Sequence, residues 1–210
     1  MTQTSKLSDK RNKENQQIRF TATVLLVLVL IVAIVLIVSP FEKEIPTTPS
    51  LSENWELLET YAHNSYADSY LTGVSIDINR KEPFQFSAEY HSTSQSDLLL
   101  FVGIDYSNKV TVNPLTSPPL APSSRTIPVY RKDWSIDSNE VLNLFAKDET
   151  VNSCLKSSKG IIELSLYKTQ TIKEEFSVWE LSVVDCPEKG NLEIYYLNAN
   201  TGEPFDPYAQ

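Results

Sequence analysis

The hydrophobic residues of this chain follow several patterns, and the longest is an unbroken run at positions 20–38 that contains no charge, Gly or Pro and is apolar apart from Thr21 and Thr23. At 1.5 Å per residue, a helix of that length spans roughly 28 Å, close to the ~30 Å hydrocarbon core of a bilayer. In lipid every backbone group must bond internally, so a helix is the structure such a run adopts. The run therefore predicts a transmembrane helix.

The alternative for this run is a cleaved signal peptide, which has a shorter apolar core and a small-x-small cleavage site. Residues 39–42 contain no such site, so we expect an uncleaved anchor. Residues 1–19 carry five basic and two acidic side chains, and the positive-inside bias assigns them to the cytoplasm. We therefore predict a cytoplasmic tail at 1–19 and a single pass through the cytoplasmic membrane, with everything after residue 38 extracytoplasmic.

Proline divides the extracytoplasmic part of the chain. Three prolines within 39–50 predict a stiff, polar stalk. Five more lie within 114–128, which predicts a connection that no strand or helix crosses. The remaining segments, 51–113 and 129–207, are predicted to fold as two repeats.

Both segments follow one plan, a helix followed by antiparallel strands. In the first, helical spacing runs from Trp55 to Tyr70. Strands are predicted after it at 84–90, 98–104 and 109–112. In the second, Asp137 with Glu140 three residues later resembles a capping box and predicts a helix start. Alternation then predicts three strands with these core-facing residues: Ile162, Leu164, Leu166, Trp179, Leu181, Val183, Leu192, Ile194 and Tyr196. We predict a duplicated α+β fold in which the helices share an interface or the two sheets lie side by side.

The end of the second segment resembles a PepSY-type domain. Such domains carry a Trp-x-Val strand and end on a strand with an Asp-Ala-x-Thr-Gly-Glu turn. The matching residues here are Val178, Trp179, Glu180 and Leu181, followed by Asn198, Ala199, Asn200, Thr201, Gly202 and Glu203. The resemblance covers about 134–204, whereas the first segment shares only the layout. Asn198 replaces the usual Asp and can make the same bonds to the backbone, while Gly202 can take a positive φ, so the turn needs no ligand to explain it.

This resemblance implies two cystatin-like helix-on-sheet repeats and a noncatalytic role. Related domains occur in metallopeptidase propeptides and in secreted or membrane-anchored bacterial proteins, where they are thought to inhibit or regulate peptidases. We therefore expect a membrane-anchored binding module whose partner is a peptidase or another envelope protein. The alternative is a noncatalytic structural subunit of a cell-envelope complex. The absence of an Asn-x-Ser/Thr acceptor fits a bacterial source.

Few residues point to catalysis. His63 and His91 are the two histidines, one predicted on a helix and one at a strand end. No nucleophile elbow, zinc-peptidase helix, P-loop or dinucleotide fingerprint occurs in the sequence. We interpret the acidic pair Glu174 and Glu175 as a solvated hairpin tip. An enzyme is therefore the least favoured hypothesis, and we expect no catalytic residues, no cofactor and no metal.

Charge argues against a nucleic-acid partner. The chain has 18 basic and 27 acidic residues, and five basic and two acidic ones precede the span, so the extracytoplasmic part has a net charge of −12. Such a surface repels nucleic acid and anionic lipid. It allows a cationic partner, although acidic surfaces are common among soluble domains.

The two cysteines both lie in the predicted extracytoplasmic part. Cys154 is predicted in a loop after the second helix and Cys186 at the end of the Trp179 strand. An even number of cysteines in an oxidising compartment favours a disulfide over two free thiols.

Tyr195 and Tyr208 do not fall on the predicted core faces. Because aromatic residues are enriched at protein interfaces, they suggest a partner surface. A fully buried Tyr195 would count against it.

Overall fold

The computed structural model describes residues 46–95, 97–116, 127–170, 175–186, 190–204 and 206. Its helices are α1 (Leu51–Ser65), α2 (Ser138–Phe145) and α3 (Glu149–Ser157), with a 3₁₀ turn at Arg131–Asp133. Its strands are β1 (Ser69–Asp77), β2 (Phe86–Ser92), β3 (Leu98–Ile104), β4 (Val110–Thr116), β5 (Ile162–Gln170), β6 (Glu175–Cys186) and β7 (Gly190–Asn198). The predicted tail and span at 1–38 lie outside the described residues. Among the helices that are described, none combines the length and the apolar composition needed to cross a membrane.

The seven strands form one antiparallel sheet in the order β4-β3-β2-β1-β5-β6-β7. Each half of this sheet is a meander preceded by helix, with α1 before β1 to β4 and the pair α2 and α3 before β5 to β7. The first strands of the halves, β1 and β5, pair at the centre, where Val74 lies opposite Leu166. The α+β class is confirmed, and the two sets of strands lie side by side in one continuous sheet.

The helices cover one face of this sheet. α1 packs against β1, β3 and β4, and α3 packs against β6. Alternate strand residues are buried beneath them, including Phe86, Ala88, Tyr90, Leu100, Val102, Ile104, Leu164, Leu166, Trp179, Leu181 and Val183. The other face carries polar pairs; Tyr167 Oη, for example, donates to Glu180 Oε2 at 2.7 Å. One buried and one wetted face is the usual arrangement of an antiparallel sheet and explains the clean alternation in the sequence.

Three tryptophans connect the two halves. The ring centroid of Trp134 lies 5.8 Å from that of Trp55 on α1 and 6.2 Å from that of Trp179 on β6. All three side chains are buried in the core, and the guanidinium of Arg131 lies 4.0 Å from the Trp134 ring centroid. Core packing accounts for all three rings, as expected from the sequence.

The predicted extension of the first helix to Tyr70 is wrong. α1 ends at Ser65, and Tyr70 lies in β1, a central strand that the sequence pattern does not predict. The pairing of β1 with β2 shifts register between Leu71 and Gly73. A bulge at this point breaks the period-two alternation by which a strand is recognised, so helical spacing is the stronger apparent signal.

β4 continues through Pro114 to Thr116, so the first three residues of the predicted connection at 114–128 belong to a strand. Pro114 lies opposite Leu100 of β3. Because β4 is an edge strand, the N–H that proline lacks can be one that faces away from the sheet. Residues 117–126 lie outside the described residues.

The last residues of the predicted stalk contact the folded region. Thr48 Oγ1 donates to the carbonyl of Ser138 at 2.9 Å, and Ser138 Oγ donates to the carbonyl of Pro49 at 2.6 Å. The chain is therefore fastened to the start of α2 before α1 begins.

Candidate binding groove

The face of β7 that packs against the core is the opposite of the one that the sequence predicts. Trp179 and Leu181 of β6 lie opposite Leu197 and Tyr195, so these two β7 residues face the helices. Leu192 and Ile194, predicted as core residues with Tyr196, are 55% and 41% exposed. The prediction is wrong because β7 carries apolar residues on both faces, and alternation alone cannot tell which of them is covered.

A cavity of about 630 Å³ lies between β7 and the pair of helices α2 and α3. Its apolar lining includes Leu144, Phe145, Val151, Tyr195 and Leu197. Four consecutive residues of β7, 194–197, line it, although their side chains alternate between the two faces of the sheet. The cavity therefore follows the outer edge of the strand, and we call it the β7 groove.

Asp148 separates the two helices that form the other wall of the groove. Its carboxylate accepts hydrogen bonds from the main-chain N–H groups of Thr150 at 2.8 Å and Val151 at 3.2 Å, which caps α3. Lys147 donates its N–H to the carbonyl of Leu144 at 3.2 Å as α2 ends. This tight junction places the charged side chains of residues 147 and 148 beside the apolar lining.

Tyr195 is partly buried near two carboxylates. Burial raises the pKa of its phenol, and the negative charges of Glu193 and Asp148 raise it further. Asp206 also lines the groove, as does Lys147. The groove is therefore apolar inside and mainly acidic at its rim. Because Tyr195 keeps an accessible surface, the predicted partner surface around it is retained; Tyr208 lies outside the described residues.

The two cysteines fasten α3 to the sheet behind this groove. Cys154 lies in α3, so its predicted place in a loop is wrong, and Cys186 ends β6. Their sulfur atoms are at bonding distance and their Cα atoms are 5.0 Å apart, in agreement with the predicted disulfide. Cys154 Sγ lies 3.9 Å from the hydroxyl of Tyr195, so the bridge supports one wall of the groove.

The turn that resembles the PepSY motif closes one end of the groove. Asn198 Oδ1 accepts from the N–H groups of Asn200 at 2.9 Å and Thr201 at 3.1 Å. Gly202, with φ of 72°, donates its N–H to the carbonyl of Asn198 at 2.9 Å, and the N–H of Glu203 donates to Thr201 Oγ1 at 3.3 Å. The turn satisfies itself through these internal bonds.

Ala199 joins the turn to the neighbouring chain. Its N–H donates to the carbonyl of Ser177 at 2.9 Å, and its carbonyl accepts from the N–H groups of Ser135 at 3.2 Å and Ile136 at 3.1 Å. The indole N–H of Trp179 donates to the carbonyl of Ile136 at 2.9 Å. This hydrogen-bond network connects β6 and β7 to the segment that precedes α2, so the turn holds one end of the groove in place.

The two histidines lie apart from the groove. His63 Nε2 is 3.0 Å from the main-chain carbonyl of Ser69 and 3.7 Å from the carboxylate of Glu59. These residues line a separate cleft of about 250 Å³, in which the buried hydroxyl of Ser69 has no hydrogen-bond partner among the described residues. His63 thus contacts a carbonyl rather than that hydroxyl, which is not the geometry of a base that activates a nucleophile.

His91 stacks on Tyr70 with ring centroids 6.0 Å apart, and burial lowers its pKa. Glu175 pairs with Gln170 at the mouth of the β5–β6 hairpin, and Glu174 lies outside the described residues. Within the described ranges, no group of three His, Cys, Asp or Glu residues is placed to hold a metal ion.

No protein-family model, curated protein or solved structure matches this chain. Sequence reasoning missed the wall formed by α3, although a signal for it exists. Asp148 is followed by Val151, Cys154 and Leu155, which is an N-cap followed by buried residues at helical spacing.

Proposed function

We propose that this protein is a membrane-anchored, extracytoplasmic binding module that regulates or inhibits a peptidase, and that its partner docks in the β7 groove. The observation that carries this proposal is the groove itself. It joins an apolar lining to an edge strand whose Leu192 and Ile194 are largely exposed. Apolar residues left exposed beside a groove are typical of a surface that a protein partner covers.

The location rests on two features of the sequence. The apolar run at 20–38 has the length and composition of a membrane span, and the basic residues before it favour a cytoplasmic N-terminus. A disulfide between Cys154 and Cys186 fits an oxidising compartment outside the cytoplasm.

The class of partner rests on the resemblance of 134–204 to a PepSY-type domain. That stretch supplies most of the groove, including α2, α3, β7 and the turn at 198–203. Peptidase regulation is the role that this resemblance implies. The groove supports recognition of a partner by shape and charge and contributes no chemical step.

Site-specific cross-linking in intact cells tests the proposal. A photoreactive amino acid replaces Tyr195, which lines the groove, and in a matched variant it replaces Tyr61, which is exposed on α1. The tagged full-length protein is purified in mild detergent, and the attached proteins are identified by mass spectrometry. We expect a peptidase joined to position 195 and not to position 61, and the purified full-length protein should slow hydrolysis by that peptidase.

Other outcomes of this experiment decide against the proposal. Non-peptidase envelope proteins cross-linked at position 195 would favour a structural subunit of an envelope complex. Partners that attach equally at both positions, or at position 61 alone, would show that the β7 groove is not the docking surface.

A further inference from the structure

The two edges of the sheet are built differently. β4, at one edge, contains Pro114, which has no N–H to offer a further strand. β7, at the other edge, contains no proline and pairs with β6 in constant register from Gly190 to Asn198. Sheet edges are usually protected because their open hydrogen-bonding groups recruit other strands. In this sheet Pro114 protects the edge at β4, whereas among the described residues only the bridge between Leu197 and Pro204 covers the edge at β7.

The main-chain groups of β7 point alternately toward β6 and toward the outer edge. The N–H of Asn198 donates to the carbonyl of Glu203 at 2.9 Å, on the outer side. Ile194 and Leu192 lie four and six residues before Asn198 in the same strand. Because the direction alternates from residue to residue, their N–H and carbonyl groups also point outward. In the part of the chain that the structure describes, nothing is hydrogen-bonded to these groups.

The chain that follows the turn covers one end of the β7 edge and shows how a further strand can pair with it. Leu197 forms an antiparallel bridge with Pro204, so the chain after the turn already begins to pair with the outer side of β7. This bridge covers the C-terminal end of the strand. Among the described residues, no main-chain group is hydrogen-bonded to the outward amides of the neighbouring Leu192 and Ile194, and the groove lies alongside them.

We propose that the β7 groove binds an extended, basic segment of a partner protein, which adds to β7 as a further antiparallel strand beside Leu192 and Ile194. This inference rests on the proposed function and specifies the chemistry of its partner. The side chains of an added strand alternate between two surfaces. One set enters the groove toward Tyr195, and the other lies along the exposed side chains of Leu192 and Ile194.

Charge selects a basic segment. Asp148 lines the groove, and Glu193 lies in β7 between Leu192 and Ile194, so both carboxylates lie beside the path of the added strand. Lys147 is the basic residue of the groove lining. The extracytoplasmic part, with its net charge of −12, adds a field of the same sign. Complementary charge speeds association and disfavours acidic competitors.

The test uses the full-length protein in mild detergent and synthetic peptides of about five residues, the usual length of a strand. One peptide alternates Lys and Val, a second alternates Glu and Val, and a third repeats the Lys and Val sequence with N-methylated amides. Isothermal titration or fluorescence polarisation measures binding. We expect the first peptide to bind at least about tenfold more tightly than either of the others.

Ile194→Pro is the decisive variant because it removes an N–H that faces outward and leaves the ladder with β6 intact. We expect it to weaken binding of the Lys and Val peptide about tenfold. Ile194→Ala is the comparison variant: it keeps the N–H and removes most of the side chain, so it measures the apolar contact alone and should weaken binding less than Ile194→Pro does. The double variant Asp148→Asn with Glu193→Gln should weaken the Lys and Val peptide and strengthen the Glu and Val peptide. Far-ultraviolet circular dichroism checks that every variant is folded.

Each contrary result has a separate meaning. Binding that Ile194→Pro and N-methylation leave unchanged would overturn strand addition while the proposed docking in the groove stands. Equal binding of the acidic peptide would overturn the charge assignment.

Self-association that Ile194→Pro abolishes would assign the edge to a second copy of the chain, and peptide binding that requires removal of residues 207–210 would assign it to the chain's own end. If none of the three peptides binds while a native partner cross-links at position 195, strand addition is wrong. If the cross-links avoid position 195, the proposed function itself is wrong.

Discussion

Ser50 and Asp137, the N-cap residues of α1 and α2, are hydrogen-bonded to each other, with Ser50 Oγ donating to Asp137 Oδ2 at 2.6 Å. The same carboxylate accepts from the main-chain N–H groups of Leu51 at 3.0 Å, Ser52 at 3.1 Å and Ser138 at 2.8 Å. A single negative charge therefore lies at the positive ends of two helices. It joins the two halves of the fold at the point where both begin.

Asp137→Ala should lower the free energy of unfolding by about 2–4 kcal/mol. Loss of an ordinary N-cap costs about 1 kcal/mol, and here the first turns of two helices lose a carboxylate acceptor together. Urea titration followed by tryptophan fluorescence at neutral pH measures the loss. Asp148→Ala, which removes the cap of α3 alone, should cost about 1 kcal/mol. Equal losses in the two variants would contradict the shared-cap interpretation.

The stabilisation by Asp137 should disappear in acid. Burial opposes ionisation of this carboxyl, but the hydrogen bonds from Ser50 and Ser52 outweigh burial and hold its pKa below the ordinary value of 3.8. A depressed pKa in the folded state stabilises at pH values above the unfolded pKa, and this stabilisation is lost as the pH falls through the folded pKa. We therefore expect Asp137→Asn to be less stable than the wild type by a constant amount from pH 7 to about pH 5, and by a shrinking amount below about pH 4. Urea midpoints across this range measure the difference, and a gap that persists undiminished at about pH 2 would contradict the assignment.

The parts of the fold that are visible in the sequence are those in which one face alone is buried. Phe86, Ala88 and Tyr90 alternate cleanly because the other face of β2 is wetted, and the same reason explains β5 and β6. Asp137 is recognisable as a helix start because capping is a local property. The hydrogen bonds of Asp137 with Ser50 and Leu51 cannot be recognised in the sequence, since they join segments that lie far apart in the chain.

The missed elements have physical explanations of their own. The bulge beside Gly73 shifts the alternation of β1 partway along the strand. β7 lies at the edge of the sheet and has apolar residues on both faces, of which one set covers the core and the other is exposed. The groove depends on which face is covered, so the strand pattern alone does not locate it. Within the lining, the sequence indicates a partner surface at Tyr195 and marks Gly202 as part of the motif turn.

Gly202→Ala should destabilise the turn that closes the β7 groove, by about 1–3 kcal/mol. Gly202 has a φ of 72°, where a side chain is strained, and an added Cβ would lie 2.8 Å from Leu144 Cδ1 and 3.0 Å from Ile136 Cδ1. Gly73→Ala is the matched control, because its Cβ would meet Leu166 O no closer than 3.5 Å and its φ is not positive. We expect the control to be neutral or stabilising by up to about 1 kcal/mol. Thermal unfolding of both variants checks the contrast, and similar losses would refute the explanation by φ and crowding.

Ser69→Ala should leave the stability unchanged or raise it by up to about 1 kcal/mol. The hydroxyl of Ser69 is buried without a hydrogen-bond partner among the described residues, whereas its carbonyl, which the substitution keeps, interacts with His63. Removing a buried polar group that makes no bond relieves its desolvation cost. Urea titration measures the change. A loss above about 1 kcal/mol would show instead that the hydroxyl has a partner in solution, such as a water in the cleft beside Glu59.

Replacing Cys154 and Cys186 together with alanine should lower the free energy of unfolding by about 3.5 kcal/mol, since the disulfide closes a loop of 32 residues' separation in the unfolded chain. The effect should extend to the groove, because α3 carries both Cys154 and the groove residue Val151, and Cys154 Sγ lies beside the hydroxyl of Tyr195. Dithiothreitol should therefore reduce both the stability and the binding of the Lys and Val peptide in the wild type, and should have no effect on the double variant. If reduction lowers the stability while peptide affinity stays the same, the bridge supports the fold without positioning the groove; if neither changes, the two cysteines are not bonded in the native protein.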